Sequence, residues 1–404
     1  MSNIPKSAVR RRRVFYIPGY DPIHPRRYRE LYRKEGAAQA AISGYEISLK
    51  PKATKGAYGW HVESCVDGIE VQADVEVLVW SDIVRGSMDQ GIIATYLQLA
   101  RTAWTYIGSG ALWRLMQLRK GPVIAALYPV VFLLVQLGLA LLAAYGLALA
   151  IGLVLPWWAG FAGLAVVPGL LNWFRKKDGK FFAYYLMHDY AYSAASKGAN
   201  PPELEARMAE FAGVIKAALA SDVDEVLVVG HSSGAHIAVS ILADLIREGR
   251  VPEGGPQLGF LSLGQVVPMV SFLRDASRLR GDLAYLCKQD ALSWVDVTAP
   301  GDGCAFALCD PVAVSGVAPA EGKLWPLVIS AAFTQTLSAA RWKALRWRFF
   351  RLHFQYLCAF DRPGDYDYFQ ITAGPLSLRA RYEGRVPSKS RIEKPVNKFT
   401  SVSS

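Results

Sequence analysis

The sequence predicts an α/β fold, a mostly parallel sheet flanked by helices, with an inserted two-helix transmembrane hairpin. Three observations predict it. Short apolar runs of strand length alternate with segments of helical spacing on both sides of the chain's middle. Between them, Gly121 to Phe174 is a run of 54 residues without Asp, Glu, Lys, Arg or His, where one span needs about 20 apolar residues. Finally, Glu225-Val-Leu-Val-Val-Gly230 reads as a fully buried strand, and it runs into a Gly/Ser turn and an apolar helix.

In chain order, Val14–Ile17 is a short apolar strand entering the tight loop Pro18-Gly19-Tyr20-Asp21-Pro22. Residues 23–44 are polar, basic and helical in spacing. Tyr45–Leu49, Gly59–Cys65 and Val75–Trp80 alternate or run apolar and read as strands. Gly91–Lys120 has helical spacing with several Trp and Arg, suited to a membrane surface. Spans are expected over roughly 127–152 and 157–173, with the turn at Leu155-Pro156-Trp157-Trp158; a turn near Tyr145-Gly146 is the alternative. Basic residues precede the run (Arg114, Arg119, Lys120) and follow it (Arg175, Lys176, Lys177, Lys180), which puts both ends in the cytoplasm of an inner or plasma membrane. Asn200-Pro201-Pro202-Glu203 starts a helix reaching about residue 220. A helix is expected from Gly234 to Glu248, and strands over Leu258–Leu263 and Ser293–Thr298. The divisions are 1–120, the N-terminal part of the soluble domain; 121–174, the hairpin; 175–383, the C-terminal part; and 384–404, a disordered basic tail.

Composition narrows the class. In 404 residues, 52% hydrophobic and 12% aromatic side chains exclude a disordered or collagen-like chain. Five irregularly spaced Cys exclude a disulfide framework and fit a reducing compartment. The first residues hold no long apolar run, so no cleavable signal peptide is expected. Residues 1–35 carry +7 and residues 379–404 carry +5 of the net +11, so the rest sums to −1. Basic ends of this kind suit the anionic cytoplasmic leaflet of a bilayer. No zinc-finger or RNA-binding signature accompanies them, and no nucleic-acid partner is expected. Cys304 and Cys309 lack zinc-ligand spacing, and Asp361, Asp365 and Asp367 read as a polar turn. No metal or organic cofactor is expected.

Gly230-His231-Ser232-Ser233-Gly234 matches G-x-S-x-G. The chemistry needs both glycines: the Ser must stand on a sharp strand-to-helix turn, where Cβ atoms on either side would meet backbone. The Ser233 N–H, following the nucleophile, is then a candidate oxyanion donor.

With this motif the chain resembles the α/β-hydrolase superfamily and, more loosely, its fungal-type lipases. The resemblance rests on Ile17-Pro-Gly-Tyr-Asp-Pro22, on 226–238 and on the stretch from Trp294 to His353. It implies an oxyanion donor from the early loop, best matched by Tyr20, although Pro18-Gly19 replaces the familiar His-Gly. It also implies the order Ser, acid, His. Of six His, only His236 and His353 follow the motif. His236 lies four residues along the helix that Ser232 opens and projects away, which leaves His353, in a strand-like run leading to a loop. For the acid, Asp302 follows the strand Trp294–Thr298; Asp296 within it and Asp310 before Pro311 are the alternatives. The implied activity is a serine esterase or lipase acting on an acyl-ester or lipid substrate. The alternative is a catalytically inactive membrane scaffold of the same fold. The sequence leaves the oligomeric state open.

Overall fold

The computed structural model describes residues 8–403; Ser404 and the first seven residues of the basic N-terminal segment lie outside them. Among the described residues, eight strands form one mixed sheet in the order β2-β3-β4-β1-β5-β6-β7-β8. They are β1 (Arg11–Ile17), β2 (Glu46–Pro51), β3 (Gly59–Val66), β4 (Ile69–Val77), β5 (Glu225–His231), β6 (Gln257–Leu263), β7 (Leu292–Thr298) and β8 (Leu327–Ser330). β1 pairs parallel with β4 and β5, and β5 to β8 continue parallel. β2, β3 and β4 form an antiparallel edge.

Three strand expectations need correction. The strand expected over Val75–Trp80 is instead Ile69–Val77, because Asp67-Gly68 is a two-residue hairpin turn with both residues at positive φ. β8, only four residues long and directly after Pro326, was not anticipated. β1 begins at Arg11, three residues before the apolar run, so the basic cluster belongs to the sheet. Arg12 is fully buried, its Nε 2.5 Å from Glu225 Oε2, and its remaining N–H groups donate to the carbonyls of Gly374 and Leu376. Arg13 pairs with buried Glu76. These two charges are spent inside the domain and are not available to a lipid surface.

The central strands β5 and β7 are buried along their whole length, as helices on both faces require. Helix Arg26–Ser43 covers one face, packing Tyr28 and Tyr32 in the core with Val14 and Tyr16. Helices Pro202–Leu219 and Gly234–Arg247 cover the other, in the core with Phe15, Ile17, Val226 and Val228. The chain thus leaves neighbouring strands β1 and β5 toward opposite faces. The crevice at their C-terminal ends is a topological switch point, where open α/β sheets bind ligands.

The apolar run folds into two helical segments, each long and apolar enough to cross a membrane: Lys120–Gly152 and Trp157–Lys176. Only 22% and 17% of their most apolar windows are buried. The first is continuous through Tyr145-Gly146, which places the turn at residues 153–156. It starts earlier than expected because its first turns lie on the domain, where Gly121 approaches the Gly303 carbonyl. The second segment is a 3₁₀ stretch, Trp157–Ala165, followed by the α-helix Val166–Lys176. Gly160 and Gly163 face Ala144 and Ala148 so closely that a Cβ at Gly160 would lie 3.2 Å from the Ala148 carbonyl oxygen. Small residues bring the two backbones together, as in membrane helix pairs.

The tail expected to be disordered packs against the domain. Val396 is buried, Asn397 Nδ2 donates to the Ser271 carbonyl at 2.9 Å, and Arg280 Nε donates to the Ser401 carbonyl at 2.8 Å. Buried Arg280 and the Asn397 amide supply partners that composition does not reveal.

Candidate active site

Ser232 stands directly after β5 with φ +55, a left-handed conformation rare for a residue with a side chain. Its N–H is held by the Leu263 carbonyl at 2.9 Å. The flanking glycines are required sterically. A Cβ on Gly230 would lie 2.7 Å from Ala235 Cα, and one on Gly234 would run into the Ile17 carbonyl oxygen. The loop after β1 passes against this turn, because a Cβ on Gly19 would sit 2.9 Å from Ser232 Cβ. Tyr20 therefore lies beside Ser232. No hydrogen bond among the described residues occupies the backbone N–H of Tyr20 or Ser233. Tyr20 is held at two points: its hydroxyl meets Ser87 Oγ at 2.5 Å, and its backbone carbonyl accepts from the Tyr185 hydroxyl.

Asp302 follows β7, and His353 ends the short helix Phe349–His353 after β8. The strand-like reading of 346–356 fails here: the run is helical from Phe349 and continues as a 3₁₀ turn to Leu357. Its aromatic residues carry no alternation of buried and exposed faces, so β-propensity misleads. His353 Nδ1 lies 2.8 Å from Asp302 Oδ2. A carboxylate only accepts, so Nδ1 carries a hydrogen, and in the neutral form of the ring the lone pair is then on Nε2. Nε2 is buried without a hydrogen-bond partner among the described residues, and His353 lines the same pocket as Ser232, Ser233, Gly19 and Tyr20.

Asp302 is held ionised. Burial works to raise its carboxyl, but the His353 charge and hydrogen bonds from His353, the Cys304 N–H (2.9 Å) and the Tyr356 hydroxyl (3.0 Å) outweigh burial and keep it below the ordinary range. The alternatives are occupied elsewhere. Asp296 accepts from Ser262 Oγ at 2.6 Å within the sheet, and burial pushes it up to about 8, where it is protonated at neutral pH. Asp310 caps helix Pro311–Val314 and pairs with Lys323. His236 is buried on the helix behind the turn, with burial lowering it to about 4. Asp361, Asp365 and Asp367 satisfy the Ser338 N–H, Arg385 and the first turn of helix Tyr368–Ala373, as a polar turn does.

Four supporting residues were not anticipated. His231 is lowered to about 3, chiefly by burial, and is neutral. Its Nε2–H donates to the His353 carbonyl at 3.0 Å while Nδ1 accepts from the Tyr16 hydroxyl at 3.2 Å, so the residue before Ser232 anchors the backbone of His353. Tyr356 accepts from the Ala299 N–H and donates to Asp302, tying the Asp302 loop to the His353 segment. Gly264 sits at φ +52 with His353 Cε1 only 3.0 Å from a would-be Cβ, which leaves room for the imidazole. The fourth is Asp189, on helix Ala183–Ala195, which lines the pocket. Only the position of His231 inside the motif offered a signal; the other three depend on contacts between distant segments.

Burial pushes Asp189 up to about 7 against the lowering effect of His353. Because this exceeds the unfolded value of about 3.9, the folded chain binds the proton more tightly. Stability then falls as pH rises from about 4 to about 7, and stays lower above that. Asp189→Asn should therefore melt about 2–5 °C above wild type at pH 8 and level with it at pH 4. A gap of the same size at both pH values would contradict the shift.

Asp302, Cys304 and His353 offer ligand-type atoms all within 4.8 Å of one another. Their local bonding suits a proton network better than a cation. Both Asp302 oxygens already accept hydrogen bonds, and burial holds the Cys304 thiol well above its ordinary value, hence protonated. A scan against protein-family models and searches of curated proteins and solved structures found no match to this chain.

Proposed function

We propose that this chain is a membrane-anchored serine hydrolase of α/β-hydrolase type that cleaves carboxylic esters through an acyl-enzyme on Ser232. The observation that carries this reading is the Asp302–His353 hydrogen bond, with the free Nε2 of His353 in the pocket that Ser232 lines. His353 Nε2 takes the Ser232 proton as Oγ bonds to the ester carbonyl carbon. The oxyanion is received by the N–H groups of Tyr20 and Ser233. The C–O bond breaks, and His353 hands its proton to the departing alcohol. Water then repeats the sequence, releasing the acid and restoring Ser232.

The two apolar helical segments cross the bilayer and hold the domain at its cytoplasmic face. From about residue 131 the first helix has roughly 33 Å of length left at 1.5 Å per residue, matching a hydrocarbon core of about 30 Å. Exposed Leu134, Leu142 and Leu149 on it, and Trp157 and Trp158 at the turn, suit lipid and its interface.

The test is covalent labelling of carbonate-washed membranes with an ethyl fluorophosphonate probe. Wild type should be labelled and Ser232→Ala should not. Absence of wild-type label would favour the inactive scaffold, and label confined to the soluble fraction would remove the membrane anchor.

A further inference from the structure

We infer that a second, apolar chamber beside the catalytic pocket holds the acyl chain of a membrane lipid, and that the membrane-spanning helix itself forms one of its walls. The inference rests on the serine-hydrolase reading and names its substrate class, a long-chain acyl ester drawn from the bilayer. The chamber is bounded by helices Ile92–Gly108, Ala111–Leu118 and the first turns of Lys120–Gly152, with Ala103, Leu115 and Ala126 among its lining. It shares three wall residues with the catalytic pocket: Tyr106, Tyr190 and Met269.

Three physical features select a hydrocarbon chain. Among the described residues no Asp, Glu, Lys, Arg or His lines the chamber, whereas the catalytic pocket contains Asp21, Asp189, His231 and His353. The Tyr106 hydroxyl is spent on the Met269 carbonyl at 2.9 Å, so the shared wall presents its ring and not a polar group. Val123, Ala126, Leu127 and Val130 line the chamber from the helix that continues as the first span. At that edge Leu127 and Ile107 are exposed, next to the exposed apolar residues Ile124 and Val131. A chain leaving the bilayer along this helix therefore stays on apolar surface until it meets the wall shared with the Ser232 pocket. Met269 in that wall is unbranched and adaptable, a residue able to yield to a passing chain.

The test compares labelling rates of the full-length protein in membranes with hexadecyl and ethyl fluorophosphonates. Wild type should prefer the hexadecyl probe by at least tenfold. Ala126→Phe and Ala103→Phe, filling the chamber from opposite walls, should each reduce that preference at least tenfold while the ethyl probe reacts at the wild-type rate. Partition of the probe into the membrane is the same for all three proteins, so it cannot produce the change. The proposal is overturned if wild type shows no preference, or if a variant that reacts normally with the ethyl probe keeps it. A wild type that reacts with neither probe removes the serine-hydrolase reading itself, which separates the two failures.

Discussion

Asp302→Asn should lower kcat for ester hydrolysis by about ten-thousand-fold, with KM little changed. The carboxylate does more than attract a charge. It accepts the His353 Nδ1–H at 2.8 Å and thereby keeps the lone pair of the neutral ring on Nε2, where the proposed mechanism sends the Ser232 proton. An Asn amide turned with its NH₂ toward Nδ1 forces the opposite tautomer, with the hydrogen on Nε2 and no base for Ser232. The substitution is nearly isosteric: the remaining oxygen still accepts the Cys304 N–H, and the Tyr356 hydroxyl, which shares Oδ2 with His353, can accept from the new NH₂, so the fold is retained. Asp296→Asn is the matched control, since Asp296 is already protonated at neutral pH and bonded to Ser262; its kcat should stay within a few fold of wild type. A loss below tenfold in Asp302→Asn, or an equal loss in both variants, would mean that the acid has been misassigned.

The second large effect concerns stability. Arg12→Ala should cost about 3–5 kcal/mol, because it strands Glu225 without its counter-charge. The Arg12 and Glu225 side chains are 0% and 1% exposed. Glu225 Oε1 also accepts the Leu378 N–H at 2.7 Å, and Arg12 holds the Gly374 and Leu376 carbonyls. One ion pair thus ties β1 and β5 to the segment following helix Tyr368–Ala373. Replacing both partners by apolar residues, Arg12→Met with Glu225→Leu, should recover part of the loss, since it removes the stranded charge. Pulse proteolysis across a urea series reads both variants. A single variant as stable as wild type would show that the pair is not needed for folding.

Much of the sheet and the candidate nucleophile are legible from local pattern. β5, β6 and β7 are short apolar runs bounded by turn residues, and periodicity finds them without tertiary information. The turn at Ser232 is legible because its glycines answer to sterics within a few residues of chain, apart from the Ile17 carbonyl that faces Gly234. The errors share one cause. Arg11–Arg13 look like a solvated basic arm until Glu225 and Glu76, distant in sequence, are brought beside them. Residues 349–353 look like a strand because aromatic residues favour both elements, and only packing decides between them. The tail looks disordered by composition, yet Arg280 and Ser271 meet it across the fold.

The sequence by itself determined the α/β class, the 54-residue apolar run and the strand–turn–helix around Ser232. Each is written in residues that are neighbours along the chain, where steric and hydrophobic periodicity act. Only the tertiary structure decided which of Asp296, Asp302 and Asp310 faces His353, which charges are buried, and that the first membrane-length helix lines an apolar pocket next to the one lined by Ser232 and His353. Those outcomes depend on hydrogen bonds and apolar contacts between segments far apart in sequence. Such contacts form only when β1, β5, β7 and the helices after β8 converge at one end of the sheet.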